Sequence, residues 1–146
     1  MKPAETPARN DVIRSPEEQL MVLLRRVDQR HSTLWRDEGP AITRLHYLVL
    51  RTVERSPQIG QDQLGALVAV DKASLTALIN RLEKIGHLVR HVHPEHRSRR
   101  QLTLTDAGRA ALEEAAPSAR NVELQFCERL DENELAALLS GMQSIA

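Results

Sequence analysis

The side chains best suited to chemistry are concentrated in a basic segment in the second half of the chain, residues 91–100. The segment carries three arginines and three histidines, which are Arg97, Arg99, Arg100, His91, His93 and His96. Clustered guanidinium groups suit contacts with phosphate or insertion into the narrow minor groove of DNA. Together with His87 the histidines could instead bind zinc, but neutral imidazoles without a nearby cysteine fit structural zinc sites poorly. We therefore predict a phosphate-binding segment and no metal site.

A second group of polar side chains lies on one face of a helix that is predicted to begin after Asp71. The opposite face of this helix carries the apolar residues Leu75, Leu78, Ile79 and Leu82 at helical spacing. Its exposed face consists mainly of small residues, three of which can form hydrogen bonds through their side chains; its members are Lys72, Ala73, Ser74, Thr76, Ala77, Asn80 and Arg81. Small polar residues let a helix backbone approach a groove closely, and Ser, Thr and Asn reach base edges or phosphates. This face is therefore predicted to contact DNA.

The elements that must position these groups follow from the local pattern. Residues 61–68 form a short third helix with Leu64, Leu67 and Val68 predicted to face inward, and only Ala69-Val70 separate it from the helix after Asp71. Gly86 is placed to end that fourth helix in a left-handed turn. In residues 87–93 and 100–104, apolar side chains then fall mainly at alternate positions along the chain, and a polar turn at 94–98 separates the two segments. This pattern indicates a two-stranded ribbon. The sequence thus predicts a helix-turn-helix followed by a β-hairpin wing.

The remaining segments are predicted to be helical. Residues 1–14 are interpreted as a flexible lead-in, and Ser15-Pro16 begins a first helix that runs to about Arg36. A second helix, capped by Thr43, ends before Pro57, and its inward residues are predicted to be Leu45, Leu48, Val49 and Val53. Thr105 restarts a helix towards Leu130 that Pro117 must kink or interrupt. A last helix, residues 132–144, follows Asp131.

Composition and charge narrow the function classes. Residues 71–109 hold eight basic and four acidic side chains, whereas residues 110–146 hold two and seven, although the whole chain has no net charge. One basic surface beside an acidic end is the distribution expected of a nucleic-acid-binding protein. No apolar run approaches the ~20 residues of a membrane span, and we expect a cytoplasmic protein. No nucleophile–base motif or phosphate-binding glycine loop is present, so neither catalysis nor a cofactor is predicted. The single cysteine, Cys127, is interpreted as a buried thiol rather than an oxidant sensor.

Three motifs carry a family resemblance. The stretches 71–76 (DKASLT), 80–86 (NRLEKIG) and 102–108 (LTLTDAG) resemble the MarR (multiple antibiotic resistance regulator) family in order and spacing. The resemblance implies a single domain over residues 15–146, in which residues 15–42 and 105–146 form dimerisation helices and residues 43–104 form the winged helix-turn-helix. It further implies a homodimer on a palindromic operator, often released by a small ligand. The chain departs from the family pattern at two places. Its wing reads His93-Pro94-Glu95-His96-Arg97-Ser98, where members commonly have Asp-Pro-x-Asp-Arg-Arg. Position 77 is Ala77, where members often carry arginine.

These observations lead to two candidate sites. The residues predicted to contact double-stranded DNA are Lys72, Ser74, Thr76, Asn80, Arg81, Lys84, Arg97 and Arg99. The residues predicted to bind a small aromatic carboxylate or phenol are His31, Trp35, His46 and Tyr47. We predict a repressor that this effector releases. The alternatives are a metal-responsive or architectural DNA-binding protein, or a winged helix that binds only proteins.

Overall fold

The computed structural model describes residues 15–146 as six helices and a small sheet. The helices are α1 (Pro16–Glu38), α2 (Arg44–Arg55), α3 (Gln61–Val68), α4 (Lys72–Lys84), α5 (Asp106–Cys127) and α6 (Glu132–Ile145). The strands are β1 (Ile59–Gly60), β2 (Leu88–Val92) and β3 (Arg100–Leu104). This architecture confirms the predicted mainly helical fold with a β-hairpin wing. The lead-in predicted for residues 1–14 lies outside the described residues.

Helix starts are set by side chains that cap the first turn. Ser15 and Glu18 form a reciprocal capping box at the start of α1, and Asp131 does the same with Glu134 at α6. Asp71 Oδ1 accepts the backbone N–H of Ser74 at 2.9 Å at the start of α4. These bonds satisfy amide groups that have no partner within the helix, so these helices begin where such a residue occurs. Helix α3 differs, because its N-cap is Gly60, which has no capping side chain.

The sheet has three antiparallel strands in the order β1-β3-β2. The hairpin β2–β3 was predicted, and it pairs Leu88 with Leu104 and Val92 with Arg100. Strand β1 was not predicted, because its two residues are too few to show an alternating pattern. Ile59 pairs with Leu102 and is buried, which anchors the connection between α2 and α3 to the base of the wing.

The core of the winged part is almost entirely aliphatic. Its fully buried members come from α2, α3, α4, β2, β3 and α5: Val49, Leu50, Val53, Leu64, Ile79, Leu82, Leu88, Leu102 and Leu112. Burial of such a side chain contributes about 1.5–3 kcal/mol. The core thus fixes the helix-turn-helix, the wing and the start of α5 as one packed body.

Three predictions of detail were wrong. Leu45 and Leu48 are exposed, and Leu50 is buried instead, because the inward face of α2 is centred on Val49, Leu50 and Val53. Leu67 is also exposed, since α3 packs through the neighbouring face that includes Gly65.

Pro117 does not interrupt α5, which continues as one helix of 22 residues. Proline lacks the N–H that would bond the carbonyl of Glu113. Both residues are exposed, so water can satisfy that carbonyl.

Two helices leave apolar faces uncovered. Exposed side chains on α1 are Leu20, Met21, Leu23, Leu24 and Val27, and those on α6 are Leu138, Leu139, Met142 and Ile145. None of the helices in residues 15–146 has the length and apolar character that a membrane span requires.

Candidate functional site

The start of α4 is fixed by an ionised cap. The hydrogen bonds that Ser74 makes to the Asp71 carboxylate lower the pKa of that carboxyl group. The carboxylate also lies at the positive end of the helix dipole. Asp71 therefore holds the first turn of α4 at the point where the turn from α3 ends.

Six of the predicted DNA-contact residues lie on α4. Five of them are exposed: Lys72, Ser74, Asn80, Arg81 and Lys84. Thr76 differs, because it is half-buried and its hydroxyl donates to the Lys72 carbonyl at 2.7 Å while accepting from Gln61 Nε2 at 3.1 Å. Thr76 thus ties α3 to α4.

A polar network that the sequence analysis missed joins α4 to β2. Arg90 Nη2 donates to both Asn80 Oδ1 and Glu83 Oε2, each at 2.5 Å. Glu83 Oε1 accepts the backbone N–H of Arg90 at 3.1 Å. Arg90 shares a strand face with the buried Leu88, and this inward position of a cation was the signal that could have revealed an acidic partner on α4.

The wing tip presents the predicted arginines to solvent. Arg97 and Arg99 are exposed, and the Arg97 carbonyl accepts a hydrogen bond from Arg100 Nη1 at 2.7 Å. The tip turn is held by His93, whose Nδ1 accepts the backbone N–H groups of Glu95 and His96 at 3.1 and 3.2 Å. A histidine here caps the turn as a side-chain carboxylate would, so the wing keeps a closed tip despite its unusual sequence.

A groove of about 540 Å³ separates the wing from the first turns of α3 and α4. Three cationic side chains line it: Lys72, Arg99 and Arg100. Gln61 lines the same groove and bonds Thr76, so the groove adjoins the exposed face of α4. This arrangement suits an anionic backbone that passes between wing and helix.

A larger cavity, about 910 Å³, lies between α1, α2 and α5. Three of the four predicted effector residues line it, namely His31, Trp35 and Tyr47. Trp35 and Tyr47 contact each other with ring centroids 5.2 Å apart, and Phe126 packs edge-on against His31 at 5.0 Å. These rings give the cavity aromatic walls.

Charged groups line the same cavity. Arg44 Nη2 bonds Asp28 Oδ1 at 2.7 Å, and its Nη1 lies 3.4 Å from His31 Nδ1. Burial lowers the pKa of His31, and the Arg44 guanidinium lowers that pKa further. Three more arginines line the cavity: Arg51, Arg55 and Arg120. The cavity therefore combines aromatic walls with an excess of cations.

His46, the fourth predicted effector residue, does not line this cavity. It is buried on the other side of α2, where its Nε2 lies 3.0 Å from His87 Nδ1. Burial lowers the pKa of His46 to about 4, and the nearby charges of His87 and Arg81 add to that effect. His46 was grouped with His31 because the two helices adjoin, but α2 turns its ring towards the junction of α4 and β2.

The clustered histidines have other partners. His87 bonds His46, His91 Nε2 lies 2.8 Å from Thr103 Oγ1, and His93 stacks on His96. Within residues 15–146, no three His, Cys, Asp or Glu side chains are grouped to hold a metal ion. Cys127 is half-buried near the end of α5.

The fold and the basic surface together define a winged helix-turn-helix DNA-binding protein. A model of the MarR family matches residues 42–99. The transcriptional regulator HosA of Escherichia coli is 34% identical over 112 residues, which are 76% of this chain and 82% of HosA. The chain therefore belongs to the MarR family of transcriptional regulators.

Solved structures agree with this assignment. BpsR of Bordetella bronchiseptica, whose DNA binding is regulated by 6-hydroxynicotinic acid, is 26% identical with a TM-score of 0.77, covering 87% of this chain and 98% of BpsR. A MarR variant of Escherichia coli complexed with operator DNA has the same fold, with 23% identity and a TM-score of 0.78 over 87% of this chain and 93% of that one.

Proposed function

We propose that the protein is a homodimeric repressor that a small aromatic acid or phenol releases from a palindromic operator. The observation that carries this proposal is the cavity between α1, α2 and α5, because it lies between α1, which has an exposed apolar face, and the DNA-binding part. A ligand bound there contacts both parts of the molecule. It can shift DNA binding only by its different affinity for the two arrangements of those parts.

The exposed faces of α1 and α6 support a dimer. Met21 is 67% exposed and Ile145 is 71% exposed, and each belongs to a row of apolar side chains on its helix. Contiguous apolar surface of this kind marks protein interaction sites. A second copy of the chain, related by two-fold symmetry, covers both faces and places two α4 helices on one side of the dimer.

The cationic surface supports the mode of DNA binding. We place the exposed face of α4, with Lys72, Ser74, Thr76 and Asn80, in the major groove, and Arg81 and Lys84 towards the phosphate backbone. Arg97 and Arg99 flank the site from the wing, and the groove beside Lys72 receives the backbone. Two-fold symmetry then requires half-sites about one DNA turn, roughly 10 base pairs, apart.

The cavity chemistry supports an aromatic anion as effector. Trp35, Tyr47 and Phe126 supply flat apolar contacts, and Arg44 supplies a guanidinium that can pair with a carboxylate. The lowered pKa of His31 keeps its imidazole neutral at pH 7, so it can orient a phenol or carboxyl group by hydrogen bonding. The relative BpsR responds to 6-hydroxynicotinic acid, which is a ligand of this type.

The test is operator binding by fluorescence anisotropy, with DNA from the region upstream of the coding sequence, at two salt concentrations and with a panel of aromatic acids. We expect salt-sensitive binding that at least one acid reverses. Arg44→Gln should raise the acid concentration needed for release, whereas Arg36→Gln, a matched change on exposed α1 surface, should not. Tight binding that no acid reverses would favour an architectural or metal-responsive protein. Absence of binding would favour a protein-interaction module.

A further inference from the structure

We infer that Arg90 is a positioning residue that sets which base Asn80 recognises, by fixing the orientation of the Asn80 side-chain amide. The inference rests on the proposed placement of α4 in the major groove. An asparagine amide has a carbonyl end that accepts and an NH₂ end that donates, and rotation by 180° exchanges them. Whichever group holds one end therefore determines which end is left for DNA.

Arg90 holds the carbonyl end. Its Nη2 has two hydrogens, of which one is donated to Asn80 Oδ1 and the other to Glu83 Oε2. If the Asn80 amide turned over, its NH₂ group would meet the guanidinium donor to donor. The charge-assisted bond would be lost and nothing at that position would replace it. Arg90 thus selects one of the two amide orientations.

Arg90 is itself held by Glu83 at two points. One carboxylate oxygen of Glu83 pairs with the guanidinium, and the other accepts the Arg90 backbone N–H at 3.1 Å. The Arg90 side chain is only 21% exposed, and its Nε is buried without a hydrogen-bond partner among the described residues. The network therefore belongs to the folded wing–helix interface rather than to mobile surface side chains.

The orientation has a consequence for base reading. An asparagine pairs with adenine through both ends of its amide, since it accepts from N6 and donates to N7. With Oδ1 turned to a cation, the amide is polarised so that Nδ2 donates more strongly and Oδ1 accepts a second bond less well. Asn80 should accordingly favour base edges that present only acceptors, which are guanine N7 and O6 or thymine O4.

The experiment measures the affinity of the whole protein for all single-base variants of its operator. The position at which Asn80→Ala abolishes discrimination identifies the base pair that Asn80 contacts. We expect the parent to prefer guanine or thymine over adenine there by roughly tenfold. Arg90→Met should reduce that preference to about twofold or reverse it, because the freed amide can turn to pair with adenine. Arg90→Lys, which keeps a cationic donor, should retain the preference.

Two controls separate positioning from a structural role. Arg109→Gln removes an exposed arginine at the start of α5 and should leave the ranking of operator variants unchanged. If Arg90→Met weakens binding to every variant equally, Arg90 only supports the fold and the inference is overturned. Should Arg90→Met fail to fold, the double variant Glu83→Gln, Arg90→Met removes the unpaired acid and gives the same readout.

The remaining outcomes are also decisive. A parent protein that prefers adenine at the contacted position would overturn the inference while leaving the proposed repressor intact. So would an Asn80→Ala variant that discriminates at every position as the parent does. Absence of salt-sensitive operator binding by the parent would instead refute the proposed function, and the inference with it.

Discussion

Gly108 lies in the first turn of α5, against the backbone of His87 just before β2. A methyl group has no room there. A Cβ atom at this position would stand 2.1 Å from the carbonyl oxygen of His87 and 3.0 Å from its carbonyl carbon. These are backbone atoms, so a side-chain rotation cannot relieve the overlap. Gly108→Ala must push the backbone of His87, which immediately precedes β2, away from α5 by about 1 Å to restore ordinary contact distances.

The cost of that displacement can be worked from the local bonds. Overpacking of a core contact costs about 1–3 kcal/mol. The His87 carbonyl also accepts the Thr105 N–H at 3.2 Å, and the Thr105 hydroxyl donates to the Gly86 carbonyl. Loss of both bonds costs about 2 kcal/mol, and the better helix propensity of alanine returns about 1 kcal/mol. We expect Gly108→Ala to lower the free energy of unfolding by about 3 kcal/mol.

The assay is urea unfolding followed by circular dichroism at one fixed protein concentration, since the stability of the proposed dimer would depend on concentration. Gly141→Ala in α6 is the matched control, because a Cβ at Gly141 meets no atom within 4 Å. That variant should be as stable as the parent or gain up to about 1 kcal/mol. A Gly108→Ala protein with parental stability would refute the argument that the α5–β2 contact is too close for a side chain.

Three further predictions concern the core and its buried polar groups. The His46 pKa of about 4 lies below its unfolded value of 6.5, so the unfolded chain binds the extra proton as pH falls from about 6.5 to 4. On the order of 2 kcal/mol of stability should be lost across that range, after allowance for solvent screening. His46→Phe should flatten the pH dependence of the melting temperature, and parallel curves would count against the assignment. Trp35→Phe removes the indole donor to the Ile42 carbonyl at 3.0 Å and should cost about 1 kcal/mol in urea unfolding, because it leaves that carbonyl unpaired. Leu50→Ala should cost about 2–5 kcal/mol in the same assay, since Leu50 is fully buried; a loss below 1 kcal/mol would contradict its place in the core.

Helix boundaries were predictable because they depend on neighbours in sequence. Thr43, Asp71 and Thr105 each cap the helix that follows, and each acts on an amide three residues away. The wing strands were predictable for the same reason, since a polar turn separates two alternating segments. The eight predicted DNA-contact residues remain predictions, although seven of them are exposed on α4 or at the wing tip.

The features that escaped prediction depend on distant contacts. Strand β1 exists because Ile59 pairs with Leu102, which is 43 positions away in the sequence. The rotation of α2 that buries His46 and exposes Leu48 is set by packing against α5 and β3, not by its own apolar pattern. The inward position of Arg90 in β2 signalled a partner, but its two partners, Asn80 and Glu83, lie on another element and could not be named from the local pattern. Local periodicity identifies an apolar helix, but the neighbours decide which of its residues face inward.

Helix α5 begins two residues after β3 ends, and it continues for 22 residues towards α6. At 1.5 Å per residue it is about 33 Å long. A tilt of only about 5° at one end of such a rod displaces the other end by about 3 Å. Contacts with base edges tolerate errors of about 0.5 Å. In the proposed complex with DNA, the angle at which α5 leaves the wing would therefore have to be held to within about one degree. A ligand of the proposed kind that displaced the far end of α5 by the thickness of a single methyl group would therefore misplace α4.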